Sequence, residues 1–288
     1  MEDHVNLSRL QYEFPGNAAS LEDSPFVFFG VPFDSGTSAA SGAREGPRAV
    51  RAIVQGMELW SEFFSKDLEK AGIYDAGDVA VSHGDAALTG GMVSSVVSWI
   101  RGLGKTPIMV GGEHTFTPYA AEATGADALI VVDAHADCRK EFLGNELSHA
   151  TSTRRWVEKG GKALLVGVRA FSSEEIAYCA EKNVSMVRAR AVAGANFAGI
   201  LRNFLSDGDV AYLSVDLDGF DPSFAPGVGT PEPLGISPSD VLKLMDALRN
   251  YRVAGMDVME LCPARDPSWI TAALAAKLVL EFYASRLS

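Results

Sequence analysis

"ALIVVDAHADCR", residues 128 to 139, runs through five apolar residues and then sets Asp133, His135 and Asp137 at every second position. The apolar run has the length and β-branched content of a strand covered on both faces, as in the interior of a parallel sheet. Residues two apart on an extended segment face the same side, so these three metal-capable side chains are expected to converge at the carboxyl end of that strand. Ala134 and Ala136 are small enough to pack behind them.

Further strand-length runs lie at 26–31, 107–111, 163–168, 210–218 and 253–261, and the one quoted extends over 128–135. Between them, helical periodicity marks 46–59, 87–102, 117–124, 149–159, 173–182, 195–206, 238–249 and 268–286. Parallel neighbours need crossover connections, which are usually helical, so this alternation predicts an α/β fold with helices on both faces of a central parallel sheet. No flexible linker, charge block or internal repeat divides the chain, and a single domain over 1–288 is expected.

Ligands of such sheets bind at the carboxyl ends of the strands. Four polar clusters fall there: "GGEHTF" at 111–116, "DAHAD" at 133–137, "DLDGFDP" at 216–222 and "MEL" at 259–261. Asp216 and Asp218 repeat the alternate spacing of the first triplet. Four carboxylates crowded at one sheet edge cannot all stay ionised unless cations lie between them. Their summed charge of about −4 matches two divalent ions and leaves a single ion insufficient. His114, on a glycine-rich turn, adds an imidazole to that of His135. Oxygen-dominated ligation with two imidazoles and no thiolate suits Mn²⁺, with Mg²⁺, Co²⁺ or Zn²⁺ compatible. Cys138 alternates to the opposite face and is not expected to be a ligand. Paired metal ions lower the pKa of a shared water toward neutrality and so supply a strong nucleophile.

The composition excludes other classes of function. With 288 residues, 47% of them hydrophobic, the chain can bury a sizeable core. A net charge of −12 repels nucleic acid and anionic membranes and attracts a cationic substrate. Three scattered cysteines do not make a disulfide framework and point to a reducing compartment. The acidic start "MEDHVNLSRL" does not read as a signal peptide, and the apolar stretch 269–284, broken by Lys277, is too short to span a bilayer. A packed C-terminal helix and a cytoplasmic location are expected.

"GVPFDSGTSAASGAREGPRAVR" (30–51), "GGEHTF", "DAHAD", "SVDLDGFDPSFAPGVGTPEP" (214–233) and "MDVMELCP" (256–263), in this order, closely resemble the ureohydrolase family of arginase, agmatinase and their relatives. The resemblance implies an arginase-like three-layer α/β/α sandwich, and a binuclear manganese centre that hydrolyses guanidino compounds to urea and an amine. It implies one metal ion on His114, Asp133, Asp137 and Asp216 and a second on His135, Asp133, Asp216 and Asp218, with Asp133 and Asp216 bridging. Asp137 would also hydrogen-bond the nucleophile, Glu260 would pair with the guanidinium, and His149 would shuttle protons near the leaving amine. Relatives are usually trimers or hexamers, which implies a homo-oligomer. The chain departs from the family pattern at Glu113, where many members have Asp, at Ala150, where Gly is usual, and at Cys262, where arginases have Asn.

Arginases bind the substrate α-carboxylate through an Asn two positions past the last Asp of the triplet and a Ser-Gly-Asn run before the histidine. Here the loop is "CRKEFLGNELSH" (138–149), with Arg139 at the Asn position and no such run. The loop resembles agmatinases more closely, so agmatine, giving putrescine in polyamine biosynthesis, is the expected substrate. Glu141 or Glu146 either meets its distal ammonium or, as is commoner for glutamates in a polar loop, is simply solvated. Guanidinobutyrase, arginase and formimidoylglutamase remain the alternatives.

Overall fold

A computed structural model describes residues 7–8, 13–14, 20–69 and 72–287. Its strands are β1 (Leu7–Ser8), β2 (Phe26–Val31), β3 (Trp60–Ser61), β4 (Lys66–Asp67), β5 (Ile73–Val79), β6 (Thr106–Gly111), β7 (Ala128–Val132), β8 (Lys162–Val168), β9 (Ser185–Arg188), β10 (Val210–Asp216) and β11 (Arg252–Met259). Its helices are α1 (Gly46–Val54), α2 (Ala86–Gly102), α3 (Thr117–Thr124), α4 (Ser152–Glu158), α5 (Ser173–Glu181), α6 (Ala189–Val192), α7 (Phe197–Phe204), α8 (Pro238–Ala247) and α9 (Ile270–Arg286). Among the described residues, nine strands form one sheet in the order β1-β5-β2-β6-β11-β10-β7-β8-β9. All neighbours are parallel except β1 on β5, and β3 and β4 form a separate small hairpin.

The pleat sends alternate side chains into two cores. Ile130 and Val132 of β7 join Leu213 and Val215 of β10 and Met256 and Val258 of β11 on one face, which α1, α7, α8 and α9 cover. Leu129 and Val131 face the other way, with Val93, Val97 and Ile100 of α2, Ala120 of α3, Trp156 of α4 and Tyr178 of α5. The result is the three-layer α/β/α sandwich that the alternation predicts. The expected C-terminal helix is α9, whose Ala275, Ala276, Val279 and Phe282 are buried. No helix among the described residues is long and apolar enough to cross a membrane.

Several bounds differ from expectation. The strands end at Val132, Asp216 and Met259, short of the expected 135, 218 and 261, because the polar residues turn out of the ladder to face the site. The helix expected from 149 opens as a 3-10 turn, His149–Thr151, before α4. Strand β5, "IYDAGDV", has the composition of a loop, yet Arg51 of α1 lies 2.7 Å from Asp75 and 2.6 Å from Asp78 and neutralises the acids that disguise it.

The four strands that carry the polar clusters, β6, β11, β10 and β7, are consecutive neighbours at the centre of the sheet. Val215 pairs with Val132, and Asp216 with Met259, so the residues that follow leave the sheet at one level.

Candidate metal centre

His114, in the 3-10 turn after β6, points Nδ1 at three carboxylates: Asp133 Oδ2 at 3.1 Å, Asp137 Oδ2 at 3.2 Å and Asp216 Oδ2 at 3.2 Å. His135 Nδ1 lies 3.0 Å from Asp218 Oδ2 and 3.5 Å from Asp133 Oδ1. His114, Asp133 and Asp137 form one group able to hold a metal ion, and Asp133, His135 and Asp218 form another, with Asp133 common to both. All six expected ligands therefore come together.

The reason for their convergence is not strand alternation alone. Asp137 has φ 50°, a left-handed conformation costly for a residue with a Cβ, and that turn brings its carboxylate back beside His114. His135 pairs with Ala170 outside the regular ladder. Cys138 is turned away as expected, its Sγ 3.5 Å from that of Cys179.

The donor set fits metal ions. His114 Nε2 donates to Ser214 Oγ at 2.9 Å, because the Ser214 hydroxyl donates onward to Asp257 at 2.5 Å. With Nε2 engaged there, Nδ1 is the nitrogen that faces the carboxylate oxygens. Nδ1 and Asp133 Oδ2 are buried with no hydrogen-bond partner, since none of the close approaches has hydrogen-bond geometry. Such an arrangement is repulsive unless a proton or a cation lies between the groups. The acid–base balance says the same. Burial, which alone would lower His114, is outweighed by Asp133, Asp137 and Asp216, and the group sits well above its ordinary value. His135, likewise opposed by burial, is pushed up to about 12, chiefly by Asp218. Burial raises Asp216 well above the carboxylate range, reinforced by Asp218 and Asp133. Burial acts on Asp218 too, but His135 outweighs it and holds that carboxyl below its ordinary value.

Glu260, just after β11, has φ 66°, and its Oε1 accepts the backbone N–H of His114 at 2.8 Å. Burial raises its pKa to about 8. Glu260 and His149 line one cavity of about 350 Å³ together with His114, His135, Asp137, Asp216 and Asp218. His149 Nε2 is 3.4 Å from Ser38 Oγ, its Nδ1 is 3.4 Å from Ser148 Oγ, and Phe142 meets its ring edge-on at 5.6 Å between centroids. Burial keeps His149 below its ordinary pKa.

The departures from pattern find local reasons. Ala150 lies in a right-handed 3-10 turn, where no glycine is needed. Glu113, fully buried, accepts Gly36 N–H and the Thr115 hydroxyl, each at 2.7 Å, a reach to the 34–42 loop that the longer side chain favours. Cys262 faces the Ser41 carbonyl at 3.6 Å.

Glu141 and Glu146 are exposed and do not line the cavity, which fits solvated glutamates and not contact with a distal ammonium. The residues there are Arg139, Phe142, Phe171 and Glu175, and of these the sequence signalled only Arg139. Arg139 stands 3.7 Å from Glu175, with its guanidinium over the Phe142 ring at 5.3 Å. Glu175 is engaged by Ser172 N–H and Oγ and by Cys138 N–H. Its place in a helix-capping pattern, Ser172 to Glu175, is a local signal that does not announce a cavity wall.

An Arginase family model matches residues 24–284. The chain belongs to the arginase family. It is 33% identical to the N(1)-aminopropylagmatine ureohydrolase of Thermococcus kodakarensis over 95% of each chain. It is 34% identical to the agmatinase of Halalkalibacterium halodurans, over 91% of this chain and 92% of that one. The agmatine ureohydrolase of Thermoplasma volcanium superposes with a TM-score of 0.88 at 35% identity, covering 96% of this chain and 95% of its own. Arginase-family membership makes the chain an amidinohydrolase, and the His and Asp groups described above are its candidate metal centre.

Proposed function

We propose that this arginase-family chain is one ureohydrolase domain that hydrolyses agmatine to urea and putrescine with two Mn²⁺ ions, as a cytoplasmic homo-oligomer, trimer or hexamer, in polyamine biosynthesis. The observation that carries the reading is the pair of His–carboxylate groups sharing Asp133 on the floor of a cavity whose walls include Glu260 and His149. One ion would sit on His114, Asp133, Asp137 and Asp216, the other on Asp133, His135, Asp216 and Asp218. Bound there, the ions would lower the pKa of a water toward neutrality and so supply the nucleophile.

The chain's own residues do the rest. A guanidinium carbon is a poor electrophile, so the substrate must be held close and in one orientation. Glu260 accepts guanidinium N–H groups, and the arriving cation draws its carboxyl into the ionised form. Asp137, fixed by the Ser152 hydroxyl at 3.1 Å, accepts the proton of the attacking water. The leaving amine nitrogen gains two protons: Asp137 hands on the one it took from the water, and His149, at the cavity wall, relays the one released as the urea carbonyl forms. Water and guanidinium give urea and an ammonium, and charge and atoms balance.

Arg139 on the cavity wall favours a second reading, a guanidino or formimino compound with a carboxylate tail. Product analysis with Mn²⁺ separates them. Urea and putrescine from agmatine support the first reading; urea from guanidinobutyrate or arginine, or formamide from a formimino substrate, with agmatine inert, would replace it.

A further inference from the structure

We propose that Arg169 is a positioning residue that staples together the two segments bearing the carboxylate ligands, the one after β7 and the one after β10. The inference rests on the two-metal reading. Arg169 follows β8 directly, beside β7. Its backbone N–H and that of Ala170 both donate to Ala134 O, at 2.8 and 2.9 Å, between Asp133 and His135. Its side chain reaches the other way, into the loop after β10. Nη2 donates to the carbonyls of Asp218 at 2.8 Å and Phe220 at 3.1 Å, and Nη1 to that of Gly219 at 2.9 Å.

The same guanidinium holds a third segment. Nε donates to Glu232 O at 3.2 Å and Pro233 O at 3.0 Å, and Nη2 to Glu232 O at 2.5 Å. That segment carries Thr230, whose hydroxyl donates to Asp218 Oδ2 at 3.1 Å, while Asp218 Oδ1 accepts Ala134 N–H at 3.2 Å. Turning the 218–220 carbonyls toward Arg169 therefore leaves the Asp218 carboxylate facing Asp133 and His135.

The loops have no slack. A Cβ on Gly219 would lie 2.9 Å from Asp133 N, so a shift of the 218–220 turn is felt at the other ligand triplet. A planar fork with five N–H donors can serve carbonyls on three segments at once, which the single ammonium of lysine cannot. The charge alone is not the device; the fork is.

The test is Mn²⁺ titration of the metal-free wild type and of Arg169→Lys, followed by calorimetry and electron paramagnetic resonance. In the wild type two ions bind and give a spin-coupled pair. In Arg169→Lys one ion, at the His135–Asp218 position, should bind more weakly by on the order of tenfold or more, the range for residues that orient metal ligands. At one equivalent per site the coupled signal should then give way to that of isolated Mn²⁺. Two wild-type constants and an intact coupled signal in Arg169→Lys, whatever its metal-free melting temperature, would overturn the proposal. Should that variant not fold, Thr230→Val carries the test: a weakened second ion supports the clasp, and unchanged constants overturn it. A wild type that takes up one ion sinks the two-metal reading and this inference with it.

Discussion

Glu260 and His114 are locked together: the Glu260 carboxylate accepts the His114 backbone N–H at 2.8 Å, while the His114 imidazole faces the carboxylate cluster. The proposed substrate anchor thus hangs on the main chain of a proposed metal ligand, so the distance between cation and metal centre is fixed by the backbone of two adjacent strands. The left-handed conformation of Glu260 is the strain that this placement carries.

Replacing Glu260 by Gln preserves shape and the hydrogen bond from His114 but removes the charge. Both metal ions should remain bound, while kcat/KM falls on the order of a hundredfold or more, as when one partner of a buried charged pair is lost. Metal analysis and steady-state kinetics on one preparation check this; near wild-type efficiency would remove Glu260 from its role.

The same substitution makes a pH prediction for the metal-free protein. Burial raises Glu260 from the ordinary 4.5 to about 8, so the folded state holds this proton more tightly than the unfolded state does. Its contribution to stability is fully present below pH 4.5 and is lost as pH rises through about 8. The wild type should therefore lose stability relative to Glu260→Gln across that window and run parallel to it above. Urea midpoints at several pH values measure the difference, and a gap that stays constant or widens in the wild type's favour would contradict the assigned burial.

The sheet and the six candidate ligands were legible because a buried parallel strand is apolar along its whole length and ends abruptly where chemistry begins, as "ALIVVD" does. Strand β5 was hidden because its acids are neutralised by Arg51, a residue distant in sequence. The left-handed turn at Asp137 left no mark, since aspartate is common in ordinary loops. Glu175 gave no sign, and the choice between substrate contact and solvent for Glu141 and Glu146 stayed open, for one reason. Acidic residues in a polar loop look alike until the fold turns one inward, and here it is the helix-capping glutamate of α5 that lines the cavity.

Metal uptake should release protons. In the metal-free protein the carboxylates outweigh burial, pushing His135 up to about 12 and His114 above its ordinary value, so both imidazoles are biased toward holding a proton that a metal ligand must give up. Lowering the pH should weaken Mn²⁺ binding, and the apparent binding enthalpy at pH 7 should depend on the ionisation enthalpy of the buffer. Titration in two buffers of different ionisation enthalpy gives the proton count; equal enthalpies would mean that the imidazoles are already neutral.

Substrate choice turns on Arg139. Agmatine should be hydrolysed far better than arginine, because the loop lacks the Asn and Ser-Gly-Asn groups that would satisfy an α-carboxylate, and an unpaired carboxylate loses hydration on entry without compensation. Arg139 works against this expectation, since its half-exposed guanidinium lines the cavity. Two contacts restrain it: stacking over Phe142 holds the plane of the guanidinium, and Glu175 at 3.7 Å offsets part of its charge. A tail ammonium would then meet a near-neutral Arg–Glu pair, whereas an α-carboxylate would have to draw Arg139 from both partners. In Arg139→Ala the agmatine KM should fall severalfold, as a cation is removed from the path, and any residual arginine activity should disappear. Specificity constants for the two substrates, measured side by side in wild type and variant with Mn²⁺ present, decide the matter. A wild-type constant for arginine equal to or above that for agmatine, lost in Arg139→Ala, would make Arg139 the carboxylate anchor and reverse the assignment.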